Sequence, residues 1–193
     1  MLAPEIESEI AVLGTRYGAP RRVAVELAGQ PFSPLILDDR HGEVCMVVRR
    51  PNGKLITAIK TFYPAGAYRL LTGGIGHGEP IAAALLREVA EETGLEIVVR
   101  RFLAVIEYRL ALLHPHPFAT FAFLLDEVGG RLAARDADER IGAFRELEVA
   151  ELPALAEILA HIPDAFDPEI DGSWADWGRF RAIAHRVVYD TLK

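Results

Sequence analysis

Apolar positions recur at spacings of three and four at both ends of the chain, and alternate or run together through most of what lies between. Ile6, Ile10, Leu13 and Tyr17 follow the helical spacing and predict a short amphipathic helix outside the main core. RRVAVELA, EVCMVVRR and KLITAIKTF are β-rich runs, separated by the turn-like stretches AGQPFSP, DDRHG and PNG. PNG at 51–53 predicts the tip of a hairpin between the second and third runs. AYRLLTGG reads as a strand that breaks into a glycine loop. Pro80 suits the first position of a following helix, where its missing N–H costs nothing, and Gly94 suits the left-handed residue just beyond it. A helix is therefore expected from about 80 to about 93. EIVVRRFLAVIEYRL and FATFAFLLDEV predict two more strands, linked by a loop with HPHP at 114–117. A polar stretch, AARDADERIG, leads into AFRELEV, and helices are expected over about 151–161 and 173–190. This order favours an α/β (α+β) chain, a mixed sheet covered by helices, over a doubly wound parallel fold. Residues 1–20 read as an N-terminal helical extension and 21–193 as one domain.

Composition narrows the class. At 193 residues, 51% hydrophobic and 25% charged, the chain can bury a core without staples and is neither disordered nor fibrous. A net charge of -7 and a pI near 5.4 argue against a protein that coats duplex nucleic acid, so a phosphate ligand would need local help from a metal or an Arg cluster. The single cysteine, Cys45, sits in the apolar run VCMVV, as a buried strand residue that suits a reducing compartment. No basic-then-apolar leader opens the chain and no apolar run nears the ~20 residues that span a bilayer, so a cytoplasmic location without a membrane partner is expected.

REVAEE at 87–92 changes the picture. On a helical wheel at about 100° per residue, Glu88, Glu91 and Glu92 fall on one arc, beside an apolar stripe of Ala82, Leu86 and Val89. Glu88 and Glu92 are like charges at a spacing of four, and carboxylates near a helix C-terminus each cost about 0.3–1 kcal/mol. Arg87 can pair with Glu91 but cannot neutralise three glutamates. Divalent cations supply the missing compensation, because hard ions such as Mg²⁺ bind clustered carboxylates. Gly73, Gly74, Gly76 and Gly78 let a ligand approach the main chain closely. Together these features suggest a metal-dependent phosphate site, against the blander reading of a solvated acidic helix face beside a flexible loop.

The stretch also resembles the Nudix box, G-x5-E-x7-R-E-U-x-E-E-x-G-U with U a bulky aliphatic residue. Gly73, Glu79, Arg87, Glu88, Val89, Glu91, Glu92, Gly94 and Leu95 fill every fixed position. The resemblance implies a Nudix α/β/α sandwich with a mixed sheet. It further implies Mg²⁺- or Mn²⁺-dependent hydrolysis of a nucleoside diphosphate linked to a group X, such as ADP-ribose or a nucleotide sugar. An oxidised nucleoside triphosphate, a dinucleoside polyphosphate, or a non-catalytic nucleotide-binding domain are the alternatives. Glu88, Glu91 and Glu92 would be metal ligands, joined by the carbonyl of Thr72. Glu79 and Arg87 would form a supporting ion pair, with Gly73 and Gly94 shaping the loop and helix end. The general base is Glu92 or Glu91 in the box, or Glu139 in the DADER stretch, whose blander reading is a solvated acidic turn. Homodimerisation through the N-terminal segment is an expectation of the same kind.

Lesser features carry weaker signals. Trp174 and Trp177 could stack on a base, but recur with Phe180, Ile183, Ala184, Val187 and Val188 as the core face of a terminal helix. His114 and His116 could border a pocket, without the further ligands of a zinc site. Arg49, Arg50, Lys60 and Arg69 flank the strands before the box and could help hold phosphates, but read singly as exposed solubilising charges; Tyr63 and Tyr68 could contact a ligand but read as strand-end packing, so no substrate-binding residue is assigned.

Overall fold

The computed structural model describes residues 2–27, 32, 35, 39–109 and 118–193. His114, His116 and the loop that holds them lie outside the described residues. The strands of the main sheet are β1 (Arg21–Glu26), β2 (Arg40–Arg49), β3 (Leu55–Lys60), β4 (Arg69–Gly76), β5 (Leu95–Arg109), β6 (Phe118–Gly130) and β7 (Ile141–Leu147). Four helices accompany them: α1 (Pro4–Tyr17), α2 (Ile81–Thr93), α3 (Leu152–Ala160) and α4 (Trp174–Leu192). The seven strands form one sheet in the order β1-β5-β6-β2-β4-β3-β7. β1 runs parallel to β5 and β2 parallel to β6, whereas the other pairs are antiparallel, so the sheet is mixed. The PNG turn joins β2 to β3, and Gly53 takes the left-handed φ of 86° there.

Period-two alternation explains why the strands read as nearly continuous apolar runs. In β2, Val44, Met46 and Val48 face one hydrophobic cluster while Cys45 and Val47 face another. The first cluster packs against α1 and α2, the second against α3 and α4, and the result is an α/β/α sandwich. Burial pushes the Cys45 thiol up to about 12, which leaves it an inert core residue. Trp174 and Trp177 are 5% and 2% exposed and pack edge to face 5.1 Å apart, as core residues of α4.

Two expectations need correction. α1 exists, but it does not lie outside the core: Ile10 and Leu13 are buried in the cluster beneath α2. Its Glu7 receives both terminal nitrogens of Arg22 at 2.6 Å, and its Glu9 accepts a hydrogen bond from the Ala82 amide at 3.2 Å. In α2 the apolar stripe is rotated from the expected one. Leu86 is 56% exposed, whereas Ile81, Ala84, Leu85 and Val89 are buried together with Glu88 and Glu92. Glu88 and Glu92 thus face the sheet, whereas Glu91 stays partly exposed. No helix among the described residues is long and apolar enough to cross a membrane.

Candidate active site

A gap in the sheet makes the site. β3 pairs with β4 only at Thr57–Leu70 and Ala58–Arg69, then follows β7 away, while β4 continues along β2 as far as Gly76. A cavity of about 510 Å³ opens where they part. Lys60 at the end of β3, Thr72, Gly73 and Gly74 on β4, Glu88 on α2 and Glu139 line it.

α2 is set against β4 by the absence of a side chain. A Cβ on Gly73 would collide with the carboxylate of Glu88, so only glycine lets this glutamate lie against the strand. On Gly74, a Cβ would come 2.6 Å from Nη1 of Arg40, which rests on that glycine. The helix begins after Pro80, which occupies the N-cap rather than the first helical position, without a side-chain cap of its own. It ends at Gly94, whose φ of 65° is left-handed and whose amide donates to the Ala90 carbonyl at 3.2 Å. Segment 133–136 then meets the unpaired carbonyls of the helix end. Arg135 N donates to Glu91 O at 2.8 Å, Ala133 N to Thr93 O at 2.9 Å, and Arg135 Nη2 to Gly94 O at 3.1 Å.

Those bonds bring Glu139 to the box helix. It closes a short 3-10 turn (Ala137–Glu139) whose Asp138 amide is capped by the Asp136 carboxylate at 2.9 Å. Arg140, with a left-handed φ of 53°, then turns the chain into β7, and its carbonyl accepts from Thr61 N at 2.8 Å. Carboxylate oxygens of Glu88, Glu91 and Glu139 consequently lie within 4.8 Å of one another. Glu92 is not in that group. It is fully buried, both its oxygens lack a hydrogen-bond partner, and Lys60 Nζ stands 4.0 Å from Oε1. Burial pushes its carboxyl up to about 8, partly offset by Arg69 and Lys60. Burial also raises the Glu88 carboxyl, against the pull of Arg87.

Arg87 links the loop to the helix. Its Nε and Nη2 donate to the two oxygens of Glu79 at 2.9 Å each, Nη1 to Glu88 and Glu91 at 2.8 and 3.0 Å, and Nη2 to the Gly74 carbonyl at 2.9 Å. Glu79 in turn accepts from Gly76 N at 3.1 Å, and the Arg87 guanidinium holds its carboxyl below the usual range. Thr72 lines the cavity, with its hydroxyl turned to the opposite face, where Oγ1 accepts from Arg181 at 3.1 Å.

Sequence reasoning underrated three cations. Lys60 donates to Glu139 Oε2 at 2.9 Å, and Arg69 is 3% exposed, donating to the Tyr63 hydroxyl and the Leu70 carbonyl. Arg40 was not singled out at all, and the second box glycine was its available signal. Arg49 and Arg50 pair with Asp126 and Glu127, away from the cavity.

The donor chemistry suits a hard divalent cation. Three carboxylates converge on one point, and beside them lies a sealed carboxylate with two unpartnered oxygens, the kind of orphan that an ion or water explains. Mg²⁺ or Mn²⁺ would be held by Glu88 and Glu91, with the Glu139 carboxylate close beside them.

Comparison with known proteins bears on this arrangement. A family model, the NUDIX domain, matches residues 39–167, well over half the chain. No curated protein matches. Among solved structures, a NUDIX hydrolase from Nitrosomonas europaea superposes with a TM-score of 0.50 and 18% identity, over 76% of this chain and 88% of that one. A MutT NUDIX hydrolase from Burkholderia pseudomallei gives 0.49 and 18%, over 81% of this chain and all of that one (100%). A UDP-X diphosphatase gives 0.48 and 16% over 81% of this chain, and the match spans 66% of that protein's length. At such identities the likeness bears on the fold alone, and the Nitrosomonas europaea protein supports it.

Proposed function

The chain belongs to the Nudix hydrolase family, and from that premise we propose that it is a metal-dependent pyrophosphohydrolase that cleaves a nucleoside diphosphate linked to a group X. The observation that carries the reading is the convergence of Glu88, Glu91 and Glu139 at the mouth of a glycine-floored cavity. A bound Mg²⁺ or Mn²⁺ would supply neutralisation of the diphosphate and stabilisation of the leaving oxygen. The chain's own residues do the rest. Gly73 lets the Glu88 carboxylate lie against β4, Gly74 lets Arg40 rest on the strand, and Arg87 with Glu79 fixes that loop to α2.

Glu139 is the proposed base, taking the proton of the attacking water at a carboxylate oxygen. Its support over Glu91 and Glu92 is position first, because it lines the cavity and they do not. ADP-ribose and nucleotide sugars are the proposed substrate class, with an oxidised nucleoside triphosphate or a dinucleoside polyphosphate as the alternative.

A panel of such nucleotides with Mg²⁺, read by release of phosphate or nucleoside monophosphate, tests the reaction. Binding without cleavage across the panel would leave a nucleotide-binding module instead. Glu139→Gln tests the base: turnover should fall at least ~100-fold while Mn²⁺ affinity stays within about threefold of wild type. A variant that loses Mn²⁺ binding would make Glu139 a ligand.

A further inference from the structure

We infer that Lys60 is a tethered counter-cation of this site: it caps Glu139 until a divalent cation displaces it, and its ammonium then serves substrate phosphates. The inference rests on the Nudix reading above, because it needs a cation beside Glu88 and Glu91.

Lys60 reaches the cavity through a local irregularity. Ile59 pairs with Ala143 and Lys60 with Ile141, so Gly142 is the extra residue of a β-bulge on β7 at the end of β3. Bulges beside active sites re-aim side chains, and this one accompanies the point where Lys60 lines the cavity. Its side chain is 18% exposed, with Nζ 2.9 Å from Glu139 Oε2 and 4.0 Å from Glu92 Oε1. The neighbouring cations are already committed. Arg87 donates to three carboxylates and the Gly74 carbonyl, and Arg69 to Tyr63 and Leu70. Lys60 differs, as a compact charge on a flexible stem that holds the proposed base.

A divalent cation held by Glu88 and Glu91 would stand beside Glu139, and so close to Nζ, and would repel it. Cation binding and the Lys60–Glu139 contact therefore oppose each other, and the coupling is reciprocal. Displaced from Glu139, the ammonium remains in the cavity that would receive a diphosphate, and is a suitable point charge for it.

The test is Mn²⁺ binding by electron paramagnetic resonance, without nucleotide, for wild type, Lys60→Met and Lys60→Arg, followed by α,β-methylene-ADP binding at saturating Mn²⁺. Lys60→Met should bind Mn²⁺ roughly tenfold tighter and the analogue at least ~5-fold more weakly, with Lys60→Arg near wild type for the ion. Structural damage would loosen the ion, so tightening separates the two explanations. An unchanged or weaker Mn²⁺ affinity in Lys60→Met, or an unchanged analogue affinity, overturns the proposal. A wild type that binds no Mn²⁺ overturns the cation site itself, and this role with it.

Discussion

The two faces of β4 each hold a cluster of buried charge, and the clusters are finished to different degrees. On the α4 face, Glu43 is 3% exposed and takes two bonds from Arg181 Nη1, at 2.8 and 2.7 Å, and one from Thr120 Oγ1 at 2.8 Å. Arg181 Nε alone lacks a partner there, and the guanidinium lies 4.8 Å from the centre of the Phe180 ring. His185, one turn along, accepts from Leu70 N at 3.0 Å through Nε2, which leaves Nδ1 to donate to Arg181 O at 2.8 Å. No water-sized space remains among these groups. On the α2 face, Glu92 is equally buried, yet both its oxygens are unpaired and the neighbouring cavity is open. A satisfied buried network fixes structure, whereas one left short of positive charge is poised for a ligand.

Breaking the closed side should do the most damage to the fold. Arg181→Met leaves Glu43 buried without its counter-charge, and chemical denaturation should show a loss of about 3–5 kcal/mol. A loss below about 1 kcal/mol would mean that the pair is dispensable and the contrast between the faces false.

The same side should also set the acid limit. Burial depresses His185 from 6.5 to about 4. Between those values the unfolded chain holds a proton that the folded chain refuses, so this residue's contribution is complete above pH 6.5 and is lost as pH falls toward 4. The loss amounts to up to about 3 kcal/mol. Glu92 works in the opposite sense: with its carboxyl raised from 4.5 to about 8, stability declines as pH rises between those values. Between pH 4.5 and 6.5 the two slopes oppose each other in wild type, so His185→Gln should lose stability more steeply as pH rises through that window, and a pH dependence equal to wild type would refute the assignment.

These groups also show what the sequence could reveal. The strands, the box helix and the Gly94 stop were legible because each is local: alternation, a proline near one end, a left-handed glycine at the other. Gly73 to Leu95 was legible as chemistry because nine spaced residues fall within 23 positions. Arg181 and Glu43 were not, being 138 positions apart and brought together only by the packing of α4 on β2. Glu139 could be suspected as a polar turn, but its meeting with Glu88 depends on the backbone bonds from 133–136 to the end of α2. The helix wheel placed Val89 correctly in the apolar stripe and Leu86 wrongly, because Leu86 and Leu85 lie only about 100° apart and packing chose Leu85.

On the open side, activity and stability should separate. Glu92→Gln, and separately Glu91→Gln, should lower turnover at least ~100-fold, equivalent to about 2.7 kcal/mol, through loss of carboxylate charge beside the cation. Glu92→Gln should nevertheless unfold within about 1 kcal/mol of wild type at neutral pH, because it removes a buried acid that has no hydrogen-bond partner. Full turnover in both variants would remove the metal assignment. A large loss of stability in Glu92→Gln would return Glu92 to the structural class that Arg181 represents.

The smallest effect probes where the open side is anchored. α2 starts at Pro80 without a cap from its own sequence, and the amide of Ala82 is met instead by Glu9 of α1 at 3.2 Å. A carboxylate there satisfies an unpaired amide and faces the positive end of the helix dipole. Replacement by alanine should cost about 1 kcal/mol, as loss of a helix cap does. The carboxylates lie at the other end of α2, beyond reach of the dipole term, so kcat for Glu9→Ala should stay within about twofold of wild type. A thermal melt unchanged in Glu9→Ala would show that α1 does not hold the box helix. A fall in kcat matching that of Glu92→Gln would instead show that fixing the start of α2 sets the carboxylate geometry at its end.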